Sequence, residues 1–540
     1  MLKELDSFFE KYPWLRYGLY VLLLLPTFFF RDYTPDNELK YISIVDEALR
    51  NNSFFAFFNQ GEIYADKPPL YLWMMMLAKV ITGGHYMWLY GLFALIPAAG
   101  IMWVMDRWMK IAGLKHNALA SNLMLGTTIM YIGSALVLRM DMLMTLFIVL
   151  SLYTFYKMYI GEAKPYDKYL LPLYIFLALF TKGPTGIMIP LLSIIAFLIY
   201  KREFRSIGKY LGWRQWLIMI GLSLLWFAMV YVEGGYDYLH DLLFRQTVGR
   251  GINSFHHKAP IYFYVVRYFF AFAPWCLLYL VLIISGLKKR LIVSDAERFF
   301  LITIVVNFIM LSLISSKLDI YLLPIYPFVV YLASSLLSKI VSSGWIKWSL
   351  LIPAAILVLL FPFSTAFVSV FGSEIPVEFF PLTNIYVVLF IFSAASFAAC
   401  YCFIKRRNSA GIISLACGMI LMVTIASFSL GKYNSYIGFK DMADSAKEGA
   451  EQRGIENLYY YSYPELSYMD AYIGSTIRPL YQESDLDSLI KSGERALIFF
   501  RNKDVESNEE LKKMLEATIL AGESGAGYQW RVISGNPIPE

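Results

Sequence analysis

The feature that most constrains this chain is a succession of apolar runs, each close to the length that crosses a lipid bilayer. They lie at 14–30, 86–105, 117–137, 142–160, 168–181, 184–200, 213–232, 261–286, 299–315, 320–337, 348–371, 382–404 and 411–430. A crossing takes about 20 mostly apolar residues, so these runs predict about 13 transmembrane helices. The run at 69–82 is shorter and amphipathic and reads as a re-entrant or interfacial helix. With 58% of residues apolar and 16% charged, ordinary soluble and disordered proteins are excluded. The expected class is a mostly α polytopic membrane protein.

The charges that remain are placed unevenly. Lys3, Lys11 and Arg16 precede the first run, and alternate loops carry Arg107, Lys110 and Lys115, then Lys201, Arg202 and Arg205, then Lys288, Lys289 and Arg290, then Lys405, Arg406 and Arg407. Basic loops mark the cytoplasmic side, which puts the N-terminus inside and the C-terminus outside. They also account for the formal charge of +6 without a nucleic-acid partner. No small-residue cleavage site follows the first run, so Tyr17–Phe30 reads as an uncleaved span. Cys276, Cys400, Cys402 and Cys417 all fall in apolar runs, which argues against a disulfide or a zinc-type cluster.

From about Lys432 charge rises, and short β-like runs alternate with helical ones. This predicts a small soluble α/β domain at 432–540, outside the membrane, after a membrane domain at 1–431. No internal repeat is evident.

The unusual polar clusters gather in the loops assigned to the outer side. Thr34-Pro35-Asp36-Asn37-Glu38 has the form of a helix start, with acids at the positive end of the dipole. Asp36 and Glu38 there fit either capping or chemistry. Asp66-Lys67-Pro68-Pro69 pairs an acid with a point-charge partner for phosphate, or forms an interfacial ion pair. Arg139-Met140-Asp141 sets a carboxylate near membrane depth, where such groups face a cavity or a partner. Thr181-Lys182-Gly183-Pro184 holds a single Lys in a tight turn. The loop from Arg245 and Arg250 to His256, His257 and Lys258 offers guanidinium groups for phosphate and imidazole for a divalent metal, or a basic surface for lipid headgroups. Ser315-Ser316-Lys317 and Tyr321 add a cation and a phenol.

Taken in order, Pro-Asp-Asn-Glu-x-Lys-Tyr, Asp-Lys-Pro-Pro-x-x-x-Trp, a lone Asp after a span, Thr-Lys-Gly, His-Lys-Ala-Pro and Ser-Lys-x-x-x-Tyr-Leu-Leu-Pro resemble the lipid A aminoarabinose transferases. They resemble the protein O-mannosyltransferases more distantly. Both are membrane glycosyltransferases of the GT-C class. The resemblance runs from about residue 14 to about residue 335 and continues more loosely beyond. It implies a sugar donor on a polyprenyl phosphate, transfer outside the cytoplasm with inversion, and no nucleotide. The acceptor it implies is lipid A or a related glycolipid, with a protein hydroxyl as the alternative, in a bacterial inner membrane. It casts Asp36, Glu38 and Asp141 as catalytic carboxylates, Lys67, Arg250 and Tyr321 as donor-phosphate contacts, and Asp66 and His257 as ligands of a divalent metal ion. Relatives commonly carry an Asp four residues before the Tyr. Here that position is Asn37, so the base falls to Asp36 or Glu38. A transporter of lipid-linked saccharide would instead place its polar residues near the midplane, in two related halves.

Overall fold

The structure is a computed structural model and describes residues 8–244, 258–340, 343–371 and 382–533. Among the described residues nine helices are long and apolar enough to cross a membrane. The bent pair Phe263–Ala271 and Cys276–Lys288, at 115° to each other, makes a tenth. Pro274 lies in the break, where it supplies no N–H donor to continue the first helix.

Three of the expected runs form shorter helices. The run at 117–137 divides into Ala118–Gly126 and Ile129–Ala135. At the division the Thr127 and Thr128 hydroxyls donate back to the carbonyls of Leu123 and Met124, at 2.6 and 2.8 Å. Such back-bonding competes with the helix ladder. The runs at 168–181 and 184–200 become Asp167–Lys182 and Thr185–Tyr200, of 16 residues each.

The residues divide into two compact units. The first comprises Met1–Thr27, Ala65–Tyr71 and Trp88–Ser427. Its helices are joined at their ends by ion pairs. Helices Asp141–Ile160 and Asp167–Lys182 are tied at one end by Lys182 and Asp141, and at the other by Lys157 Nζ and Asp167 Oδ1 at 2.7 Å. Lys201 Nζ meets Asp295 Oδ1 at 3.0 Å, linking the end of Thr185–Tyr200 to the start of Asp295–Leu313. Lys339 pairs with Glu297, which also closes a capping box with Ser294. Asp106 gathers Tyr17 at 2.7 Å, Tyr331 at 2.9 Å and Arg16 at 3.1 Å.

The second unit comprises Phe28–Tyr64, Leu72–Met87 and Phe428–Glu540. It contains a five-stranded sheet of β1 (Asn457–Tyr461), β2 (Ile477–Leu480), β3 (Ala496–Arg501), β4 (Ile519–Ser524) and β5 (Tyr528–Ile533). The order is β2-β1-β3-β5-β4, with β1 parallel to β2 and β3, and β5 antiparallel to β3 and β4. Ile498, Phe500, Leu486 and Leu511 are fully buried in the core on one face of the sheet. Phe28–Tyr64 belongs to this unit through Asp32. Its carboxylate accepts from Lys440 N at 2.9 Å, and its own N–H donates to Asn434 Oδ1 at 2.8 Å.

Candidate active site

In the first unit a cavity of about 520 Å³ is lined by Asp66, Lys67, Lys182, Thr185, Ser316 and Tyr321 on its polar side. Trp226, Phe227, Met188, Leu242 and Leu311 form an apolar wall. Each polar group arrives from a place where a helix starts or stops. Asp66 and Lys67 precede the helix Leu70–Thr82, entered through Pro68 and Pro69. Lys182 is the last residue of its helix, which ends at Gly183 with φ 108°, a conformation that favours glycine. Tyr321 sits on the 3₁₀ turn Asp319–Ile325.

The electrostatics are those of paired ions at a largely apolar surface. Lys67 Nζ lies 2.9 Å from Asp66 Oδ2. Asp141 is 1% exposed and is bound by Lys182 and by Arg139 Nε at 3.2 Å. The Lys182 ammonium also stands over the Tyr321 ring, 5.0 Å from its centroid. Such pairing is what allows charges to persist where water is scarce. Asp66, Lys67 and Tyr321 are thus brought together, and Asp141 joins them through Lys182.

Lys182, which the sequence leaves open between binding an anion and snorkelling, is engaged by Asp141. Its signal, one Lys in a Thr-Lys-Gly turn, gains meaning only from Asp141 across the helix pair. Lys317, by contrast, is 4% exposed and donates to the carbonyls of Ile314 and Ala259 at 2.6 and 2.9 Å. It fastens backbone. Arg250 and His257 lie outside the described residues.

Asp36 and Glu38 belong to the second unit, on the π-helical turn Pro35–Leu39. Glu38 is fully buried. It accepts a bidentate pair from Arg31 at 2.6 and 2.7 Å, and further bonds from Thr34 N and Oγ1 at 2.8 and 3.0 Å. Asp36 is exposed. The two carboxylates on this turn therefore differ in kind, one committed to holding the turn and one presented at its surface.

As to a metal, Asp66 is engaged by Lys67, and no group of three or more His, Cys, Asp or Glu side chains suited to a metal ion occurs among the described residues. The described residues fall short of a ligand set, and no step below is routed through a metal.

No family model matches the chain. It is 28% identical over 339 residues to an uncharacterised protein of Aquifex aeolicus, covering 61% of this chain and 66% of that one. It is 23% identical over 338 residues to the undecaprenyl phosphate-alpha-4-amino-4-deoxy-L-arabinose arabinosyl transferase of Shewanella sediminis, covering 59% of this chain and 58% of the relative. The chain thus spans less than two thirds of the length of these relatives. Its structure superimposes on that of ArnT from Cupriavidus metallidurans bound to undecaprenyl phosphate, with a TM-score of 0.75 at 16% identity, covering 97% and 98% of the two chains. The fold is that of ArnT. The chain is a multi-pass membrane protein with this fold and a small sheet-containing part at its C-terminal end, and it resembles the aminoarabinose transferases in sequence as well as in fold.

Proposed function

We propose that the protein transfers a sugar from a polyprenyl phosphate to an acceptor outside the cytoplasm, with lipid A or a related glycolipid as that acceptor. The observation that carries this reading is the cavity with lysines and a phenol on one side and an apolar wall on the other. Its chemistry suits a lipid whose headgroup is a phosphate. The named relative uses undecaprenyl phosphate-linked aminoarabinose, and the ArnT neighbour binds undecaprenyl phosphate.

In this proposal Lys67, Arg250 and Tyr321 hold the donor phosphate. The acceptor oxygen attacks the anomeric carbon, the carbon–oxygen bond to the phosphate breaks, and the configuration inverts. Asp36 orients the acceptor and takes its proton. The departing phosphate gains charge as the bond breaks, and the cations stabilise it most at that stage. A lipid phosphate leaves readily without a nucleotide or strong acid assistance. Asp141 pairs with Lys182 and holds it in place. The proposed setting is a bacterial inner membrane, with the N-terminus cytoplasmic and the C-terminus outside.

The ion pairs at both ends of the helices weigh against a saccharide carrier. Asp141 and Lys182 mark one end of two helices, and Lys157 and Asp167 mark the other. A carrier opens each end in turn, which would break these buried pairs at several kcal/mol each.

The test is transfer by purified protein in detergent, supplied with polyprenyl-phosphate sugars and with lipid A or peptide as separate acceptors, products being read by mass. Transfer to lipid A supports the proposal. Transfer to peptide alone moves the acceptor to protein hydroxyls. Saccharide movement across liposomes with no transfer overturns the enzyme reading.

A further inference from the structure

At the carboxyl ends of the parallel strands β1 and β3 the second unit gathers side chains that the reading above leaves unused. Tyr463 follows β1, Arg501 ends β3, and Tyr528 opens β5 directly opposite Arg501. The rings of Tyr463 and Tyr528 stack with centroids 6.1 Å apart and planes inclined by 25°. The Arg501 guanidinium lies over the Tyr463 ring, 4.5 Å from its centroid, and forks onto Asp504 at 2.6 and 3.1 Å.

The backbone is shaped to present Tyr463. Ser462 has φ 60°, a left-handed conformation uncommon outside glycine, asparagine and aspartate, and such outliers concentrate at binding sites. The turn Pro464–Met469 follows and carries Glu465, whose Oε2 is buried with no hydrogen-bond partner among the described residues. The π-helical turn Pro35–Leu39 packs on this same segment. Asp36 thereby comes within electrostatic reach of Tyr463, Tyr468 and Tyr528. Burial above all, with Glu465 and Asp36 adding to it, keeps these three phenols protonated as donors.

Open α/β sheets bind ligands just beyond the carboxyl ends of their parallel strands. A stacked pair of phenols offers a flat apolar surface with polar edges. Around it stand carboxylates that only accept and a guanidinium that only donates. A sugar ring has the complementary form, an apolar C–H face edged by hydroxyls that both donate and accept.

We propose that this cluster is the acceptor subsite, in which Tyr463 and Tyr528 seat the sugar headgroup of the acceptor while Glu465 and Arg501 bond its hydroxyls beside Asp36. The inference rests on the transferase reading for the word acceptor, and on the second unit alone for the sugar site.

The full-length protein in detergent is titrated with a glucosamine disaccharide by saturation-transfer NMR, and transfer is measured against lipid A concentration. The wild type should bind the disaccharide. The double variant Tyr463→Ala/Tyr528→Ala should raise its Kd and the acceptor KM about tenfold or more, with the Kd for undecaprenyl phosphate within about twofold of wild type. Should that variant fail to fold, Glu465→Gln, nearly isosteric, should raise the acceptor KM about three- to tenfold with an unchanged melting temperature. A wild type that binds no disaccharide, or folded variants with wild-type acceptor KM, overturns the subsite while transfer stands. Disaccharide binding that is lost in the variants, in a protein that transfers nothing, supports the sugar site and sinks the transferase reading.

Discussion

Tyr472 donates a hydrogen bond to the Asp32 carboxylate, joining residues 440 positions apart in the chain. The same carboxylate accepts from the backbone of Tyr33 at 2.7 Å and of Lys440 at 2.9 Å. A Cβ on Gly438 would run into its Oδ2. Burial works to raise the Asp32 carboxyl, and these donors only partly offset it, so it stays above the usual carboxylate range.

Removing this junction should loosen the second unit. Asp32→Ala leaves three donors without their acceptor, the buried Tyr33 N–H among them, and we expect a loss of about 2–4 kcal/mol. Gly438→Ala meets the same carboxylate sterically and should destabilise in the same direction. Thermal unfolding of the purified protein, with protease cleavage mapped within 28–64, checks both.

Asp470 makes stability depend on pH. It is 3% exposed, and burial pushes its carboxyl up to about 6 against the bonds from Gln60 at 2.9 Å and Ser43 at 3.2 Å. Its native pKa lies above its unfolded value of 3.8. The folded state therefore keeps a proton that the unfolded chain gives up, and stability falls as pH rises from about 4 through about 6. Asp470→Asn should remove that slope and gain on the order of 2–3 kcal/mol at neutral pH. Asp46 acts oppositely. Burial would raise it, but His85 at 2.7 Å and Lys79 hold it below the usual range, so its contribution is lost only as pH falls below 3.8. Melting temperatures across this range for wild type and Asp470→Asn decide the matter.

Lys182→Met should strand Asp141 with Arg139 alone and destabilise the first unit by about 3–5 kcal/mol. Adding Asp141→Leu removes the orphaned charge, so the double variant should recover much of that loss. It should not recover transfer, because the cavity has lost a cation. Unfolding and transfer assays on the three proteins separate the two effects.

The pair at the other end of those helices carries no such burden. Lys157→Met should cost about 3–5 kcal/mol in unfolding, by stranding the buried Asp167, and leave the donor KM and turnover within about twofold. A large fall in turnover without a change in stability would give the Lys157–Asp167 pair a part in the working cycle.

Much of this was legible in the chain itself. Length and apolarity are local properties, so the helices from Met87–Ile111 to Asn408–Ser427 follow from composition along the sequence. The charge rise near Lys432 falls close to Phe428, where the last segment of the second unit begins. What stayed hidden depends on distant partners. Asp32 lies beside a span and shows nothing of Lys440 or Tyr472. Glu38 carries the same local signal as Asp36, and only the Arg31 fork tells them apart. The 115° bend before Cys276 leaves no trace in hydropathy, because the two arms together read as one apolar run.

Because the second unit is drawn from both ends of the chain, its completion is tied to the order of synthesis. The segment that carries Asp36 leaves the ribosome early, yet Asp32 must wait 408 residues for the amide of Lys440. Every span can be inserted while the strands β1 to β5 are still unmade. A chain cut short by a late stop codon would then fill the membrane with helices and lack the sheet-containing fold that holds Phe28–Tyr64, and quality control would meet it as a full set of spans with one unpaired segment.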